Sequence, residues 1–125
     1  MDERAFKTLT TYLGKVPAIN DSISSGSGAD GLWWVKFQID IDSEYAWQVV
    51  QELGSVVNYL SVEERLPSIF YPVSPAPYLN GGPAEFLSWV IEATDKDFRP
   101  GTLQKWLEGR LPNPVDDLDQ WDIDA

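Results

Sequence analysis

An α+β domain, with an antiparallel β-sheet and helices packed mainly on one face, is the fold class this sequence predicts. Three observations lead to it. Residues 33–42 alternate apolar and polar side chains with a period of two, which is the pattern of a strand with one wet face. Residues 43–53 carry an apolar stripe at helical spacing. The segments follow one another as helix, strand, helix, strand, strand, helix, which favours a sheet of about three to five strands layered with helices. At 125 residues the chain is one ordinary domain. A chain of this size buries about two thirds of its unfolded surface and folds without a metal or a disulfide.

The first helix is expected over residues 3–14, where Phe6, Leu9, Tyr12 and Leu13 fall near one side and Gly14 stops it. The stretch NDSISSGSGADG, residues 20–31, is polar and rich in Ser, Gly and Asp, and reads as a flexible loop. In the strand that follows, Trp33, Val35, Phe37, Ile39 and Ile41 alternate with Trp34, Lys36, Gln38, Asp40 and Asp42. Trp34 is the one aromatic on its wet side. Asp42 or Ser43 is placed to cap the next helix. That helix buries Ala46, Val49, Val50 and Leu53 and ends at Gly54 in a left-handed cap. SVVNYLS, residues 55–61, suits either a helix or a strand. Strand Ser68–Ser74 contains Pro72, which cannot donate to a ladder, so it belongs at an edge or a bulge. Residues 85–94 are apolar on both faces and read as a central strand. A final helix begins at Pro100, a favoured first position, and Pro112 and Pro114 prevent its continuation.

The chain has no cysteine and no histidine. Disulfides, thiolate zinc sites and cysteine nucleophiles are thereby excluded, as is every triad built on imidazole. Asn80-Gly81-Gly82, within the proline-rich run from Ser74 to Pro83, precedes a strand pattern rather than a helix and lacks the Lys-Ser/Thr pair of a phosphate loop. It reads as a hairpin turn that presents Tyr78 and Leu79. Asp117-Leu118-Asp119 matches only the opening of a calcium-binding loop, with no glycine or closing glutamate after it. Asp40 and Asp42 share a strand face, but a helix cap and a solvated acid account for them. Glu85 and Glu92 have no spacing that sets them across a cleft. No metal, no cofactor and no catalytic residue is expected.

Charge is the remaining signal. Nine bases face 20 acids, a net of −11. Such a chain repels nucleic acid and anionic membranes and attracts a basic protein. Nearly half of the excess lies in the tail, residues 116–125: without Asp116, Asp117, Asp119, Asp122 and Asp124 the net charge of −11 becomes −6. Leu118, Trp121 and Ile123 interleave with these acids. An indole ringed by carboxylates suits a binder of a basic surface, although Trp121 docking back on the domain is the rival reading. Candidate partner-binding residues are Asp116, Asp117, Asp119, Trp121 and Asp122, with Trp34, Asp40, Tyr78 and Asn80 as further contacts. No signal peptide or membrane span is visible, so a soluble, cytoplasmic protein is expected.

The residues WWVKFQIDID, AWQVVQELG, VVNYLSVEERLPSIFYPVSPAPYLNGGP, FLSWVIEATD and WLEGRLPNPVDDLDQW resemble the small immunity proteins of bacterial contact-dependent growth inhibition and related polymorphic toxin systems. The resemblance spans roughly residues 31–121. It implies a non-enzymatic, cytoplasmic protein that binds a cognate toxin domain, often a basic nuclease, and blocks it at or away from its active site. A non-catalytic adaptor domain of a bacterial assembly is the alternative expectation, and a small hydrolase using carboxylates and a divalent metal is the third. Oligomeric state is left open.

Overall fold

The computed structural model describes residues 3–19, 23–40, 42–59, 67–73 and 88–121. Helix α1 (Glu3–Leu13) leads to strands β1 (Ser24–Ser27) and β2 (Trp33–Phe37), then helix α2 (Ala46–Gly54) and a π-helical turn, Ser55–Tyr59. Strands β3 (Ser68–Val73) and β4 (Ser88–Ala93) follow, then helix α3 (Pro100–Arg110) and a 3-10 turn, Leu118–Gln120. The strands form an antiparallel sheet in the order β1-β2-β4-β3. The α+β fold expected from the sequence is the one observed.

Directly opposed residues of antiparallel strands share a face. Val35 and Phe70 both pair with Ile91, and Phe37 pairs with Trp89, so these five side chains lie on one side of the sheet. That side meets Phe6, Leu9 and Leu13 of α1, Val49 and Leu53 of α2, and Leu103 and Leu107 of α3 in one apolar cluster. All three helices therefore cover the same face. The other face carries Trp34, Lys36, Val90, Glu92, Ile69 and Tyr71. Aromatic contacts bind the layers. Phe6 meets Trp33 edge-on at 6.1 Å, Trp33 stacks on Phe98 at 5.7 Å, and Phe70 stacks on Trp89 at 5.0 Å. Each such pair contributes about 0.5–1.5 kcal/mol beyond its buried area. The Trp33 indole N–H donates to the Phe98 carbonyl at 2.6 Å, which fixes the connection into α3.

β4 is central and β3, with its Pro72, lies at an edge, as the patterns indicate. Three expectations are corrected. Residues 24–27 are a strand, not loop: Ser24 to Ser27 pair with Lys36 to Trp33 across a five-residue turn. In that turn Asp30 accepts from the Leu32 N–H and Gly31 takes φ +81°, a conformation open to glycine. Gly26 lies opposite Trp34, whose indole crosses it so closely that a Cβ there would sit 2.7 Å from the ring. The second helix begins at Ala46, not Ser43. The Ser43 hydroxyl accepts from the Tyr45 N–H and builds a turn, while the Asp40 carboxylate accepts from Asp42, so neither Asp42 nor Ser43 is the cap. The α-helix ends at Gly54 as expected but without a left-handed cap, because the chain runs straight on into the π turn that buries Val56 and Val57.

Asn58, at the end of that turn, protects the sheet edge. Its side-chain N–H donates to the Phe70 carbonyl at 2.8 Å, and its carbonyl accepts from the Phe70 N–H at 2.7 Å. One amide thus stands where, among the described residues, β3 has no neighbouring strand, at the residue whose ring enters the core. The Asn80-Gly81-Gly82 turn, the prolines around it and Leu79 lie outside the described residues.

Candidate partner-binding surface

The acidic segment after α3 is an ordered turn rather than a free tail as far as Trp121. Leu111 and Val115 are buried and hold the chain to the core. Asp117 then caps the 3-10 turn: its carboxylate accepts from the Asp119 N–H at 3.0 Å, and its carbonyl accepts from the Gln120 N–H at 3.0 Å. Trp121 closes the turn. It is 1% exposed within the main cluster, and its indole N–H donates to the Val115 carbonyl at 2.8 Å. The rival reading of Trp121 is therefore the observed one, and its assignment as an exposed partner contact is corrected. Burial of an indole needs a partner for its N–H, and a carbonyl six residues upstream supplies one.

With Trp121 buried, Asp116, Asp117, Leu118, Asp119 and Gln120 are all exposed. The apolar side chain displayed among the acids is Leu118, 48% exposed. Beside the turn is a groove of about 500 Å³ between α1 and α3, lined by Lys7, Tyr12, Lys15, Glu108 and Asp116 among others. Burial, and secondly the Glu108 carboxylate, push the Tyr12 phenol up to about 12. It stays protonated at neutral pH. Among the described residues, no group of three or more carboxylates converges as a metal site. Glu92 accepts from the Tyr71 hydroxyl at 2.6 Å. Glu85 lies outside the described residues.

The further candidates divide. Trp34 is half-buried on the sheet face away from the helices, and Asp40 is exposed at the end of β2. Neither is brought into the acidic turn by the strand order or the core contacts. Tyr78, Asn80 and Asp122 lie outside the described residues. Among the described residues, three large exposed apolar side chains lie outside the sequence-predicted contacts: Trp47, Leu118 and Ile69. Leu118 takes the exposed place among the acids that the sequence suggested for Trp121. Trp47, 69% exposed, lies off the Ala46–Val49–Leu53 stripe and in helical register with Gln51, so its outward position was legible from spacing.

Comparison with protein-family models, curated proteins and solved structures finds no match. The functional reading therefore rests on the surface of this chain. Among the described residues, no helix is long and apolar enough to cross a membrane.

Proposed function

We propose that this protein is a non-enzymatic immunity protein that binds a basic toxin domain and blocks it. The acidic turn carries the proposal: Asp116, Asp117 and Asp119 are held at the surface by the buried Trp121 behind them and flank an exposed Leu118. An ordered display of like charge loses less conformational entropy on binding than a free tail does, and the charges speed encounter with a cationic surface. The net charge of −11 extends the same attraction beyond the turn.

A toxin-sized basic protein is expected to be encoded beside this gene in its host, and the test is capture and kinetics with that protein. Asp116→Lys/Asp119→Lys leaves the capping carboxylate of Asp117 in place, so the turn itself persists. The expected outcome is slower association and a flatter dependence of the rate on salt. An association rate equal to the parent's at low salt would remove the turn from the interface. Failure of the parent chain to protect cells from that toxin would end the immunity reading. An adaptor domain would bind without protecting.

A further inference from the structure

The chain from Phe37 to Glu64 contains no lysine or arginine, while Asp40, Asp42 and Glu44 within it are exposed. Trp47 follows directly, on the second residue of α2, with its indole turned away from the core that Ala46, Val49 and Leu53 enter. Elsewhere the molecule treats a surface indole differently. Trp106, on α3, is half-buried and carries the Arg110 guanidinium 3.7 Å above its ring. Trp47 is more exposed and, among the described residues, no ring or cation is stacked on it.

An indole left this open keeps most of its apolar face in water, a state that covering by a partner relieves. Its π face attracts a guanidinium or ammonium, and the attraction grows as water is excluded. The neighbouring carboxylates favour the same cation and disfavour an anionic or purely apolar occupant. We propose that Trp47, together with Asp40, Asp42 and Glu44 of the turns that lead into α2, is a second contact surface that takes an arginine or lysine side chain of a protein partner on its ring. The inference rests on the reading that the partner is basic, and it names a surface separate from the acidic turn.

Hexa-arginine is a suitable probe, titrated into the 15N-labelled full chain at low salt, with the Trp47 indole signal assigned through Trp47→Phe. The Trp47 indole N–H is expected to shift saturably. The buried indoles of Trp33 and Trp121, each already bonded to a carbonyl, should stay still. Trp47→Ala is expected to weaken binding about threefold or more, the range of an exposed to partly desolvated cation–π contact, with an unchanged far-UV spectrum. Asp116→Asn/Asp119→Asn reports on the turn independently. If Trp47→Ala binds as the parent does while the turn variant weakens, the Trp47 surface is overturned and the basic-partner reading stands. If the peptide causes no saturable shift at either place, both are overturned.

Discussion

Trp121 and Tyr71 show how much a single side chain decides here. Trp121 has its ring in the core and its N–H on Val115, so one residue fastens the acidic turn to the domain. Trp121→Ala should cost about 3–5 kcal/mol, as for other large-to-small changes at buried aromatics, and should release the turn. Trp121→Phe keeps most of the volume but leaves the Val115 carbonyl without its donor, a smaller loss of about 1 kcal/mol. Urea unfolding of the two variants measures both. Tyr71 gives a pH signature. Its hydrogen bond to Glu92, then burial, then the Glu92 charge push its phenol up to about 12 from 10. A folded value above the unfolded one means that the bond stabilises the fold fully below about pH 10 and is lost as pH rises through about 12. In a spectrophotometric titration Tyr71→Phe should remove a late-ionising phenol, and Glu92→Gln should shift that phenol back toward its ordinary value.

Elements whose signal is apolar periodicity were legible, and those held by partner backbone were not. β2, β4 and the buried stripe of α2 follow directly from the spacing of Val35, Phe37, Ile91, Val49 and Leu53. β1 has no such signal, since Ser24 to Ser27 bring only backbone groups and a glycine for Trp34 to cross. The start of α2 was misplaced because Ser43 and Asp40 spend their oxygens on local turns. Asn58 belongs at this scale as well. Asn58→Ala would leave the N–H and carbonyl of Phe70 without their partners at the edge of β3. The expected loss is about 1–2 kcal/mol, with faster amide exchange confined to β3 and its neighbours. Exchange unchanged at Phe70 would refute the edge-capping role.

For the molecule as a whole, the excess of acids over bases sets the behaviour. A net charge of −11 on 125 residues repels itself, and added salt screens that repulsion over a Debye length of about 8 Å at physiological ionic strength. The melting temperature should therefore rise as sodium chloride is raised from low to physiological levels. The same screening should slow capture of a basic partner. Opposite responses to salt separate the self-repulsion of the chain from its attraction for a cationic surface, and a melting temperature that falls with salt would mean that internal ion pairs dominate.

The sequence by itself determined the α+β class, the central place of β4, the restriction of β3 to an edge or a bulge and the acidity of the segment after Pro114. These depend on local periodicity, on the chemistry of proline and on charge, none of which needs a distant partner. Only the tertiary structure decided that Trp121 is buried and not displayed. Trp121 finds a space among Leu111, Val115 and the helix core, whereas Trp47 lies on the far side of a helix whose inner stripe is already satisfied. An indole favours either setting, because its body is apolar and its N–H needs a partner. The choice is made by whether a cavity and a carbonyl are within reach, and residues distant in sequence build that cavity.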